Sequence, residues 1–180
     1  MMKNLSQRYC IVGVGHTAYG KNPGVSQIAH NVLAIRAALD DAGCEYVQLD
    51  ETALAKFSDP KIQAALKERG DDWQDLLSTY TGIVNRVIAG KPDGMRIGIH
   101  LCRGNKQSYW QAEGGYDLVA DTLFNKINAD CYFLEYDSPR AGDFSPLKFL
   151  PKNKTAILGL VSTKTSDVEG TLQQIYALAA

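Results

Sequence analysis

What the chain lacks narrows its function first. No run approaches the ~18 consecutive apolar residues of a membrane-spanning helix, and the opening Met1-Met2-Lys3-Asn4-Leu5-Ser6-Gln7-Arg8 has no apolar core of a secretory signal. The expectation is a cytoplasmic protein with no membrane partner. Lys/Arg-rich blocks are absent and the formal net charge is −1, so the chain lacks the electrostatic footprint of a nucleic-acid binder. There is no low-complexity segment and no fixed-period repeat, which excludes a solenoid. Cysteine is scarce: Cys10, Cys44, Cys102 and Cys131, irregularly spaced in 180 residues, do not make a disulfide framework, which leaves metal or core roles.

What is present describes an ordinary folded core. With 45% hydrophobic and 22% charged residues, one soluble globular domain is the default. The β-branched run Tyr9-Cys10-Ile11-Val12-Gly13-Val14 predicts a strand, and the apolar-periodic stretch from Val25 to Leu39 predicts a helix with Ser26 as its cap and Gly43 just past its end. Further strands are predicted at 46–49, 96–101, 131–135 and 156–161. Helices are predicted at 53–69, at 72–89 with Asp71 as cap, near 115–127 and at about 167–179. Strands alternating with helices define an α/β fold of parallel βα units. About five strands are too few for a closed (β/α)₈ barrel, so the expectation is an incomplete, partial TIM-barrel-like sheet.

In such sheets the chemistry sits at the carboxyl ends of the strands. Arg96-Ile97-Gly98-Ile99-His100-Leu101-Cys102 places His100 and Cys102 two residues apart at a strand end, so the pleat turns both to one face. An imidazole and a thiol there form a zinc-type pair, although by themselves they read equally well as a packed histidine and a buried thiol. The next strand, Cys131-Tyr132-Phe133-Leu134-Glu135, ends in a carboxylate, and an earlier one ends in Asp50 and Glu51. Acids at strand ends also cap the helices that follow, and for any one of them that plainer role has the stronger prior. Arg103-Gly104-Asn105 and Pro139-Arg140-Ala141-Gly142-Asp143-Phe144 have the turn chemistry of shaped loops or of plain surface loops. Trp73 and Trp110 read as packing residues, with Trp110 close enough in sequence to Cys102 to touch a substrate, and His16 and His30 are given no role.

Four strings resemble, in order, successive strand ends of the catalytic barrel of cobalamin-independent methionine synthases. They are Tyr46-Val47-Gln48-Leu49-Asp50-Glu51-Thr52, His100-Leu101-Cys102-Arg103-Gly104-Asn105, Leu134-Glu135-Tyr136-Asp137 with Arg140-Ala141-Gly142-Asp143-Phe144, and Leu158-Gly159-Leu160-Val161-Ser162-Thr163-Lys164. The likeness covers about residues 45–180 and is nearest the single-barrel branch of the family. It implies methyl transfer from a methylfolate-type donor to the thiol of homocysteine held on zinc. It further implies that His100, Cys102 and Glu135 are zinc ligands and that Asp50, with Glu51 beside it, binds the amino-acid substrate. Two features have no match: the family's fourth ligand from a Cys-Gly motif, absent up to Ala180, and a histidine that the two-barrel enzymes carry near the position of Val161.

Residues 10–44, with Ile11-Val12-Gly13-Val14-Gly15-His16-Thr17-Ala18-Tyr19-Gly20, resemble instead the opening βα unit of thiolase-like lipid-transfer proteins. That implies a division into a thiolase-like segment at 1–44 and a partial methionine-synthase-like barrel at 45–180, joined near Asp41-Ala42-Gly43-Cys44. A sheet assembled this way has open edges, and a homo-oligomer would cover them. Two functions follow: a zinc-dependent methyltransferase, or a non-catalytic truncated or fused fragment of that family.

Overall fold

A computed structural model describes residue 14, residues 27–162 and residue 164, with the side chains of 27–32 excepted. The strand expected at 9–14, the Ser26 cap and the closing helix at 167–179 therefore lie outside the described residues, apart from Val14. The chain divides into two compact units, residues 1–47 with 91–95, and residues 48–90 with 96–180.

The described part of the first unit is built on helix α1 (Gln27–Asp41). It ends as expected at Gly43, whose φ of 61° lies in the left-handed region that suits glycine. The amide of Cys44 then donates back to the carbonyl of Leu39 at 3.0 Å and closes the helix end. The thiol of Cys44 donates to the carbonyl of Tyr46 at 3.0 Å.

Apart from Tyr46 and Val47, which open β1, the second unit carries a four-stranded parallel sheet in the order β1 (Tyr46–Asp50), β2 (Arg96–Leu101), β3 (Cys131–Glu135), β4 (Thr155–Gly159), with no closed barrel among the described residues. Register is fixed by Gly98 opposite Cys131 and Leu101 opposite Leu134, then by Cys131 opposite Thr155 and Glu135 opposite Gly159. The two central strands are covered on both faces, which explains their near-continuous apolar runs. β1 and β4, at the two ends of the order, alternate between exposed and half-buried positions.

Three helices connect β1 to β2: α2 (Ala53–Lys56), α3 (Pro60–Glu68) and α4 (Trp73–Ala89). The single helix expected at 53–69 is broken because Pro60 has no amide hydrogen and drives Asp59 into the extended region, φ −83° and ψ 119°. From there the Asp59 carboxylate accepts the amide of Lys61 at 2.8 Å and restarts the helix. The cap of α4 is Asp72, which accepts the amides of Gln74 and Asp75, and not the expected Asp71, whose carboxylate is paired with Arg69. Leu77, Thr81, Val84 and Ile88 form the buried stripe of α4 at helical spacing. The helix expected near 115–127 winds instead into a π-helical turn at Thr122–Lys126, burying Leu123 and Phe124.

The core joins Ile97, Ile99 and Leu101 of β2, Tyr132 and Leu134 of β3, Leu54, Tyr116 and Ile127, all buried. Each such aliphatic side chain contributes roughly 1.5–3 kcal/mol of transfer free energy. Among the described residues no helix is long and apolar enough to cross a membrane.

Candidate functional site at the carboxyl ends of the strands

A cleft of about 380 Å³ opens at the carboxyl ends of β2, β3 and β4. His100, Cys102, Glu135, Asp137, Val161 and Lys164 are among its lining residues, so the three expected metal donors share one cavity. The register explains this. Leu101 pairs with Leu134, so the next residues along each strand, Cys102 and Glu135, leave the sheet side by side. Cys131 opens β3 at the other end of the sheet and is buried, so it does not belong to the cleft. Cys44, Cys102 and Cys131 are free thiols.

Asp50 ends β1 and reaches across to β2, with its Oδ1 3.2 Å from Nδ1 of His100. The same oxygen accepts from Nε2 of Gln48 at 2.9 Å. The Gln48 hydrogen bond holds the Asp50 carboxyl below the usual carboxylate range, and His100 adds to this against a desolvation cost. Asp50 is therefore an exposed carboxylate with an oxygen free of these two contacts. Glu51 is used differently: its two oxygens accept the amides of Ala53 and Leu54, at 3.2 and 2.8 Å, and start α2.

Glu135 lies in a nearly dry ionic network. Its Oε2 accepts the backbone amide of Arg103 at 2.5 Å, while Oε1 accepts both Nη2 of Arg140 and Nζ of Lys164 at 2.7 Å. Asp137, two residues on, accepts from the same two cations at 2.8 and 3.3 Å and from the Ser162 hydroxyl at 2.9 Å. These bonds and the two charges pull the Asp137 carboxyl below its ordinary range, although burial opposes them as the largest single influence. The four charged side chains are between 4% and 10% exposed.

The network stands on Arg103, which the sequence places in a loop and which is fully buried. Its guanidinium donates to the carbonyls of Gly114 (2.7 Å) and Glu135 (3.2 Å) and to the hydroxyl of Tyr116 (3.2 Å). Tyr116 in turn donates to the carbonyl of Leu101 and accepts the amide of Glu135, so one phenol ties β2 to β3 immediately beneath the cleft. Trp110 does not line the cleft; its ring faces the Arg140 guanidinium at 4.6 Å and its indole N–H donates to Glu113.

Imidazole, thiol and carboxylate are the donor types zinc takes. As arranged, however, they do not fit the ion. Glu135 Oε1 is shared by two cations, His100 faces Asp50, and among the described residues no three His, Cys, Asp or Glu side chains are grouped to hold a metal.

Fold and cleft together define an α/β domain of parallel βα units with its polar side chains gathered at the strand ends, the arrangement of a partial TIM-barrel-like domain. The relatives of the chain narrow this further. It is 41% identical over 133 residues to YxjH, an uncharacterised protein of Bacillus subtilis, a match covering 73% of this chain and 35% of that protein. It is 25% identical over 149 residues to the 5-methyltetrahydropteroyltriglutamate–homocysteine methyltransferase of Bacillus velezensis, covering 81% of this chain and 17% of the enzyme. The crystal structure of a candidate vitamin B12-independent methionine synthase from Listeria monocytogenes superposes with a TM-score of 0.59 at 33% identity, over 84% of this chain and 43% of that one. The chain thus spans about a third of the length of the first of these relatives (35%). No family model matches it.

Proposed function

We propose that this chain carries the thiol-substrate side of a methyltransferase site of the cobalamin-independent methionine synthase kind, with homocysteine as acceptor and a methylfolate-type compound as donor. One observation carries the reading: His100, Cys102 and Glu135, from adjacent strand ends, line a single cleft. The likeness to the Listeria and Bacillus proteins supports it. In this reading Asp50, kept anionic by Gln48, receives the substrate's ammonium group through the oxygen that Gln48 and His100 leave available. Tyr116 and Arg103 hold the two strand ends at a fixed spacing below it.

The test is methionine formation from homocysteine and a methylated folate by the purified chain in zinc-containing buffer. Production by the native protein and its loss in Cys102→Ser support the proposal. No production by the native protein sinks it.

A second reading, a non-catalytic α/β domain of the same ancestry, is favoured by the pairing of Glu135 with Arg140 and Lys164. On either reading we infer that residues 10–44 are a separately acquired βα unit with no activity of its own. Homocysteine binding unchanged on deletion of residues 1–44 agrees with that; a deletion variant that cannot fold speaks against it.

A further inference from the structure

We propose that the outward face of α4 docks a second copy of this chain, the two helices packing antiparallel about a two-fold axis near residues 81 and 82. The surface stands apart from the cleft, since no residue of α4 lines it.

α4 is apolar along two neighbouring stripes. Leu77, Thr81, Val84 and Ile88 face the core. Leu76, Tyr80, Ile83 and Val87 recur at spacings of 4, 3 and 4, and at 3.6 residues per turn they fall on one line beside the first stripe, within an arc of about 60°. Tyr80, Ile83 and Val87 are 37%, 44% and 56% exposed, and Leu76 is half-buried. Single exposed apolar residues are ordinary, but four in this register have the spacing of a seam between two helices. Tyr80 is held in place within the seam by an edge contact with the buried Phe57, their ring centres 5.9 Å apart.

Charge selects the occupant and its direction. The charged side chains of α4 are Asp75 in its first turn and Arg86 in its last. Both are exposed, and helical geometry sets them on the same flank of the seam, away from the core stripe and about 16 Å apart along the axis. Neither is in an ion pair among the described residues. A second copy running antiparallel brings Asp75 of each chain to Arg86 of the other, twice by symmetry, while Leu76 meets Val87 and Tyr80 meets Ile83. A parallel pair would set Asp75 against Asp75 and Arg86 against Arg86, which repel. The face is thus self-complementary in apolar contact and in charge, as an isologous dimer requires.

The experiment is sedimentation velocity of the full chain from about 1 µM to about 1 mM, the range in which a small interface forms. A reversible monomer–dimer equilibrium is expected. Ile83→Glu, at an exposed position, should weaken it at least about tenfold by placing a charge in the seam. Arg86→Asp should weaken it about threefold or more, and Asp75→Arg combined with Arg86→Asp should bring it back to the native value. A native chain that stays monomeric overturns the proposal, as does a dimer that Ile83→Glu leaves unchanged, which must use another surface. A double variant no tighter than Arg86→Asp overturns the antiparallel arrangement. Hydroxyl-radical footprinting of the native chain alone covers the case in which a variant fails to fold: oxidation of Ile83 and Val87 should fall severalfold between the dilute and the concentrated sample. Protection already complete in the dilute sample identifies a segment of the same chain as the cover and overturns the proposal. Full oxidation at every concentration overturns it too and leaves the face to a different protein.

Discussion

The Arg103 guanidinium lies 4.3 Å from the centre of the Tyr116 ring while donating to the hydroxyl of the same residue, and both side chains are completely buried. The pair spans the junction of β2 and β3 and is finished by the carbonyls of Gly114, of Glu135 at the end of β3, and of Ala141. Burial raises the Tyr116 phenol above its ordinary value, so it acts as a neutral hydrogen-bond donor and acceptor. Truncation of Arg103 to Met leaves those carbonyls without donors in a dry site, and we expect a loss of at least about 3 kcal/mol in denaturant unfolding. Arg103→Lys should recover little of it, since a single ammonium cannot reach the separate acceptors. A variant within about 0.5 kcal/mol of native would show that these hydrogen bonds are not what fixes the strand ends.

Tyr136 presents the opposite case. Its hydroxyl is buried and has no hydrogen-bond partner among the described residues, and its ring packs between Tyr116 and Phe144. Tyr136→Phe should therefore be neutral or stabilising by up to about 1 kcal/mol at pH 7. Desolvation first, then neighbouring Tyr116, raises this phenol above its ordinary value of 10.0. A folded-state value above the unfolded one means stability present in full below pH 10 and lost as the pH climbs beyond it, because the unfolded chain releases the proton first. The variant should show a shallower alkaline loss of stability in unfolding curves at pH 9 to 11, and an identical slope would contradict the assignment.

Two glycines make a paired prediction. A Cβ on Gly142, at φ 78°, would come within 2.6 Å of the Cα of Gly115, so Gly142→Ala forces backbone apart beside the ionic network. A cost of about 1–3 kcal/mol is expected. Gly82 lies inside α4 with nothing within 4 Å of the place a methyl group would take, and Gly82→Ala should stabilise by about 0.5–1 kcal/mol. Thermal melts of both variants settle the signs.

Much of this architecture was legible from local pattern. The strands ending in Asp50, Leu101 and Glu135 follow from apolar runs bounded by turn residues, and the period-2 rule brings His100 and Cys102 to the same cleft. The break at Pro60 was legible too, since proline disfavours helix in the residue before it, but the apolar periodicity on either side masked it. What the sequence could not reveal is the pairing of charges. Arg103 and Arg140 occupy strings that read as shaped or plain surface loops and Lys164 closes the last strand-end string, and only tertiary packing turns them inward onto Glu135, Asp137 and Tyr116. A cation a few residues beyond each strand end was the available signal. Likewise Glu51 takes the plainer of its two readings, helix capping, because the amides of α2 lie within reach of its own side chain.

The central claim is that the strand-end cleft receives a thiol amino acid, and calorimetric titration of the full chain with homocysteine in zinc-containing buffer tests it most directly, with Cys102→Ser measured alongside. The account predicts saturable one-to-one binding by the native protein, weakened roughly tenfold or more by the substitution, a loss comparable to one charged hydrogen bond. No binding by the native chain, or equal binding by both proteins, would contradict it.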